Sequence, residues 1–135
     1  MVRAPSGITM AVVLVVNEDR DVLDMYGAIL EQMGHRPVLK AKIEPKPETV
    51  IASGAAALLL DLEAESDPIA GLHVIEALRA DPSTKQVPII LCTAAPEDVR
   101  PLSERLEDLD VPVLIEPFHI EKLRDVLGQV LPPAP

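Results

Sequence analysis

Short, nearly unbroken apolar runs alternate along this chain with longer stretches of mixed character. The runs are Val12–Val16, Val38–Ala41, Ala56–Leu60, Val87–Leu91 and Val111–Ile115. Runs of four or five β-branched and aliphatic residues without polar alternation predict strands covered on both faces, as in a parallel sheet. The stretches between them carry a helical period. Asp21–Met33 places Val22, Met25, Tyr26, Ile29, Leu30 and Met33 on one stripe, and Gly34 follows as a stop. Leu72–Ala80 repeats the pattern with Leu72, Ile75, Leu78 and Arg79, and Glu121–Val130 with Leu123, Val126, Leu127 and Val130. Pro96-Glu97-Asp98 opens a further helix with acids where the helix dipole favours them, and Glu48–Ser53 makes a shorter one ended by Gly54. Five strands alternating with five helices imply right-handed crossovers and an open, doubly wound α/β sheet. The 135 residues suit a single domain, 1–135, with its core from about residue 11 to 131.

Composition narrows the function. The net charge is −10, and Tyr26 and Phe118 are the only aromatic residues. A chain without a basic cluster or a stacking platform is a poor nucleic-acid binder, so no nucleic-acid partner is expected. A single cysteine, Cys92, excludes an internal disulfide and gives no sign of an oxidising compartment. Apolar runs such as Ile8–Val16 are far shorter than a membrane span. Arg3 followed by that run imitates a signal peptide, but no small-residue cleavage site follows and the run ends in Asn17-Glu18-Asp19. A cytoplasmic protein with no membrane partner is the expectation.

Doubly wound sheets place their sites beyond the carboxyl ends of the strands, where strand order switches. Asn17, Glu18 and Asp19 follow the first run, Asp61 the third, Thr93 the fourth, and Glu116-Pro117 the fifth. Acids, a hydroxyl and an amide from distant parts of the chain therefore converge on one edge. Oxygen donors with no His or Cys pair suit a hard cation such as Mg²⁺, and a carboxylate beside Mg²⁺ is a possible phosphoryl acceptor. Taken singly, each acid is as well explained as a solvated loop residue or a helix cap, with Asp19 or Asp21 capping the first helix.

In their order and spacing, Val13–Val22, Leu58-Leu-Leu-Asp-Leu62, Gly71–Ala80, Val87–Ala94 and Glu116-Pro-Phe118 resemble a response-regulator receiver domain, the phosphoacceptor module of two-component signalling. The resemblance covers the chain from about Val12 to Leu131. It implies a flavodoxin-like, five-stranded parallel sheet in the order 2-1-3-4-5. It also implies Asp61 as phosphoacceptor, Glu18 and Asn17 at the paired metal-binding positions, and Glu63 offering its backbone carbonyl to Mg²⁺. Thr93 matches the hydroxyl that turns toward the phosphoryl group, and Pro117 the proline that often follows a cis bond. The implied partners are a sensor histidine kinase or phosphotransfer protein and an unidentified downstream protein, with a homodimer as a further option. No enzyme activity is expected beyond Mg²⁺-dependent self-phosphorylation and dephosphorylation.

Three positions depart from that pattern. Asn17 is an amide where the family has an acid, which removes a charge but keeps an oxygen. Glu116 stands where a lysine contacts the phosphoryl oxygens, leaving a net negative charge even with a divalent cation bound. Two unit charges about 4 Å apart at an effective dielectric near 20 interact by about 4 kcal/mol, and here the sign opposes phosphorylation. No nearby basic residue is an obvious substitute, with Arg20 and His119 the ones that could swing in. Val113 occupies the place of an aromatic switch residue and lacks the rotamers that would couple Thr93 to the last structural units. The loop after Asp61 is about two residues longer than usual, and its Glu63, Glu65 and Asp67 add negative charge.

The expected function is a stand-alone receiver with weakened phosphorylation. The alternative is a pseudo-receiver, a binding or dimerisation module that works without phosphate. A phosphoaspartyl-type hydrolase is a poorer third option, with Glu63 where such enzymes carry a general acid. Cys92 is expected to be a buried structural thiol, Met25 and Met33 core residues, and His35, His73 and His119 surface or helix-end residues. Ser103–Asp110 is expected to be a solvated helix face, Pro45-Lys46-Pro47 a turn, and Leu131–Pro135 a tail.

Overall fold

The computed structural model describes residues 10–42, 47–61 and 68–131. Five strands form one parallel sheet: β1 (Val12–Val16), β2 (Arg36–Lys40), β3 (Ala57–Asp61), β4 (Ile89–Thr93) and β5 (Val113–Ile115). Their order is β2-β1-β3-β4-β5, so the direction of winding reverses between β1 and β3. The helices are α1 (Arg20–Gln32), α2 (Pro47–Ser53), α3 (Pro68–Ala80), α4 (Pro96–Val99), α5 (Ser103–Asp108) and α6 (Ile120–Val130). The single helix expected from Pro96 onward is broken into α4, a 3₁₀ turn over Arg100–Leu102, and α5. Pro101 explains the break, because it has no N–H to give the preceding turn. The turn Pro45-Lys46-Pro47 and the tail lie partly outside the described residues.

The apolar strands split their side chains by simple alternation. Leu14, Val16, Leu58, Leu60, Ile89 and Leu91 point to the face covered by α2, α3 and α5, where they meet Val50, Ile75, Leu78 and Leu106. Val13, Val15, Leu59, Ile90, Cys92 and Leu114 point to the other face and meet Leu23, Tyr26 and Leu30 of α1 and Leu123 and Leu127 of α6. The edge strands are less covered than their apolar character predicts: β2 keeps Arg36, Leu39 and Lys40 exposed, and Ile115 of β5 is exposed. Where α1 lies against β2, a side chain on Gly27 would come within 3.1 Å of Leu39, so the glycine permits the close approach.

Caps set the helix ends that hold the site. Asp19 is the N-cap of α1; its side chain accepts from the N–H groups of Asp21 and Val22, at 2.9 and 3.3 Å. Gly34, at φ 89°, closes the other end, with its own N–H donating to Glu31 and that of His35 donating to Leu30.

Two core assignments differ from the pattern. Met25 is 42% exposed, and Leu23 takes the buried place on α1. His35 is 4% exposed, not a surface residue: its Nδ1 accepts from the N–H of Ala11, and burial lowers its pKa below the ordinary value. His73 and His119 are exposed, as expected. Among the described residues no helix is long and apolar enough to cross a membrane.

Candidate functional site

Strand register assembles the site. Val16 pairs with Leu60, so Asn17 and Asp61 leave β1 and β3 side by side at the switch point. Asp61 pairs across β3 and β4 with Cys92, which puts Thr93 one step further along the same edge. Thr93 pairs with Ile115, and the N–H of Glu116 donates to the Thr93 carbonyl at 2.7 Å. Asn17, Asp61, Thr93 and Glu116 thus line the carboxyl edge of four adjacent strand positions, with Glu18 beside them. Glu63, Glu65 and Asp67 lie outside the described residues.

Each group has a distinct environment. Asn17 is buried, and its Oδ1 accepts from the N–H of Asp19 at 2.8 Å, which fixes the start of α1 as well as its own amide. Glu18 is exposed, and Asp61 is half-buried at the end of β3. Thr93 is fully buried; its Oγ1 accepts from the N–H of Ala95 at 2.9 Å, so the hydroxyl faces its own turn. Val113 is partly buried and packs on the aliphatic cluster under α5. The Glu116–Pro117 peptide is cis, as the resemblance implies. Arg20 and His119 are both exposed.

Glu116 does not hang free over Asp61. Its Oε2 accepts a hydrogen bond from the hydroxyl of Tyr26 at 2.6 Å, a residue ninety positions earlier on α1. Burial raises the Glu116 carboxyl above its ordinary pKa; the Tyr26 hydrogen bond lowers it, and the negative charge of Asp61 raises it again. Tyr26 is 1% exposed, and burial pushes its phenol far up, so it stays a neutral donor. The ring of Phe118, two residues after Glu116, sits 5.6 Å from that of Tyr26 at an interplanar angle of 31°. Cys92 lies on the same face; burial pushes its thiol up to about 12, the behaviour of an inert structural cysteine.

Tyr26 is the site residue that the sequence pattern did not single out. Its place on an aliphatic stripe marks it as core, yet a buried tyrosine hydroxyl needs a partner. That requirement, on the chain's single tyrosine, was the available signal.

The donor set for a cation consists of oxygen atoms only. Among the described residues no three His, Cys, Asp or Glu side chains stand close enough to hold a metal ion, so Glu116 is not part of a ready-made acidic cage. Glu18 and Asp61 remain, and two carboxylates with water completing the shell is the usual arrangement for Mg²⁺. The residues present therefore fit that ion.

No family model matches the sequence, and no curated protein matches it by sequence either. The backbone, in contrast, superposes on solved receiver structures. A chemotaxis response regulator of Vibrio cholerae matches at a TM-score of 0.68 and 22% identity, over 91% of this chain and 100% of the other. The receiver domain of a sensor histidine kinase from Pseudomonas aeruginosa, solved with a magnesium ion in its active-site cleft, matches at 0.68 and 23%, over 90% and 97%. A response regulator of Thermotoga maritima, solved in complex with Mg²⁺ and BeF, matches at 0.69 and 21%, over 90% and 100%. The fold is that of a receiver domain, with the strand order the resemblance implies.

Proposed function

We propose that this chain is a receiver that takes a phosphoryl group onto Asp61, with Mg²⁺, and signals through protein–protein contacts. The observation that carries the reading is the position of Asp61: it ends β3 at the switch point, flanked by Asn17 on one side and Thr93 on the other. One Asp61 carboxylate oxygen attacks phosphorus and forms the acyl phosphate. The phosphorus–nitrogen bond of a phosphohistidine donor breaks in line with it, and the departing nitrogen keeps the electron pair and takes up a proton. Glu18 and Asp61 would hold Mg²⁺, which when bound would offset the charge on the transferring oxygens. The solved Pseudomonas and Thermotoga receivers, with magnesium in their crystals, support that assignment. The donor partner is a sensor histidine kinase or a phosphotransfer protein, and the cytoplasm is the compartment where such donors work.

Glu116 is the residue that sets the efficiency. A lysine would add a fixed cation beside the phosphoryl oxygens, and a carboxylate adds none, so transfer is slow. The same substitution favours a second reading, a pseudo-receiver that binds or dimerises without phosphate. Intact-mass measurement after incubation with Mg²⁺ and phosphoramidate separates the two. One added phosphoryl group in the native chain and none in Asp61→Asn supports the receiver. No adduct in the native chain, with one appearing in Glu116→Lys, supports the pseudo-receiver.

A further inference from the structure

The hydrogen bond between Tyr26 and Glu116 joins α1 to the turn after β5 across the end of the sheet. Its two ends are unequal. Tyr26 is buried in the core, with Phe118 against its ring, and has no room to leave. Glu116 is half-buried at the rim, near enough to Asp61 to feel its charge. A carboxylate so placed has two attractors, a donor in the core and any cation bound at Asp61. The 2.6 Å hydrogen bond ties the carboxylate to the donor in the core.

We propose that Tyr26 is a positioning residue: its hydroxyl holds the Glu116 carboxylate on the α1 side and keeps it away from the cation and the phosphoryl group at Asp61. This rests on Asp61 being the acceptor. The turn that supplies Glu116 also supplies Phe118, which braces the Tyr26 ring, so one segment carries both the charge and part of its restraint. The other end of the restraint is equally local. Asp19 caps α1, and the Asn17 amide accepts from the Asp19 N–H, so the helix bearing Tyr26 starts from the metal-side loop itself. Tyr26 therefore lets a receiver fold keep an acid in place of the lysine without that acid closing the site.

The sign of the effect follows from charge. Released from the phenol, the Glu116 carboxylate adds negative potential next to Asp61. That attracts a cation and repels an incoming phosphoryl donor. Tyr26→Phe is expected to bind Mg²⁺ about threefold to tenfold more tightly than the native chain by calorimetry at one fixed pH. The same variant is expected to take up phosphoryl groups from phosphoramidate about tenfold more slowly by intact mass. Simple damage to the fold would weaken both together. In a Glu116→Gln background the same tyrosine substitution is expected to change neither quantity, because the amide carries no charge to release.

Equal effects of Tyr26→Phe in the two backgrounds, or no effect on Mg²⁺ affinity in the native background, would overturn the proposal. A native chain that binds Mg²⁺ but takes no phosphoryl group sinks the acceptor reading alone, and the Mg²⁺ comparison across the four proteins still decides the role of Tyr26. A native chain that binds no Mg²⁺ overturns both. If Tyr26→Phe does not fold, emission of the single tyrosine in the native chain decides instead. Saturating Mg²⁺ is expected to leave it unchanged, and a shift toward the spectrum of Glu116→Ala means that the carboxylate has left Tyr26 for the metal.

Discussion

On the face of the sheet under α2, α3 and α5, every buried side chain of the central cluster is aliphatic, from Leu14 and Leu58 to Ile75 and Leu106. The face under α1 and α6 also holds Tyr26, Met33 and Cys92, with Phe118 packed at its border. Arg79 and Thr84 on one face and Tyr26 on the other act at opposite edges. On the aliphatic face, Arg79 donates to the carbonyls of Leu109, Lys85 and Val87, and the fully buried Thr84 hydroxyl donates to Leu78, all near the amino ends of β4 and β5. On the other face, Tyr26 reaches the carboxyl edge and touches Glu116. Arg79 and Thr84 serve backbone carbonyls, whereas Tyr26 serves the site. A core can thus be uniform in hydrophobicity and still be chemically one-sided.

The largest effect that tests this comparison comes from neighbours on β3. Leu58 and Leu59 are both essentially unexposed and point to opposite faces. Each Leu→Ala change is expected to lower unfolding free energy by about 2–5 kcal/mol in denaturant titrations. Only Leu59→Ala is expected to alter the emission of Tyr26 in the folded protein, since only Leu59 shares its cluster. Equal spectral changes in the two variants would show that the faces are not independent.

A smaller effect is expected at Arg79. Arg79→Met keeps the aliphatic stem and leaves carbonyls without their donor, so stability is expected to fall by about 1–3 kcal/mol. Mg²⁺ affinity of the folded protein is expected to stay unchanged, because these contacts lie at the edge away from Asp61. A change in affinity would link the two edges and break the comparison.

The smallest effect concerns His35, at the far end of α1 from Asp19. Burial holds its folded-state pKa below the ordinary 6.5. Between that lowered value and about 6.5 the unfolded chain binds a proton that the native chain does not, so stability falls as pH falls through this window. Below the folded-state pKa both states are protonated and this contribution levels off. His35→Gln is expected to flatten the slope of stability against pH in this window. An unchanged slope would mean that His35 titrates alike in both states.

Much of the architecture was legible because it rests on local rules. The helical stripe of α1, the stop at Gly34, the α/β alternation and the oxygen groups after each strand follow from spacing and residue type. The errors were equally physical. Met25 lies within the amphipathic arc, yet the rotation of α1 gives its buried place to Leu23. His35 follows a helix stop, where exposure is usual, but the turn folds it under the end of the sheet to accept from Ala11. The helix from Pro96 carried its own breaker in Pro101, a local signal that the apolar period obscures.

The site divides along the same line. Which residues stand at the carboxyl edge was determined by the sequence itself, because strand ends and strand polarity are encoded in apolar runs and the residues that terminate them. Where Glu116 directs its charge was decided only by tertiary structure. A carboxylate and a phenol ninety positions apart have no pattern in common, and they meet because α1 packs across the sheet onto the turn after β5. Local chemistry fixes what groups a chain can offer, and long-range packing chooses their partners.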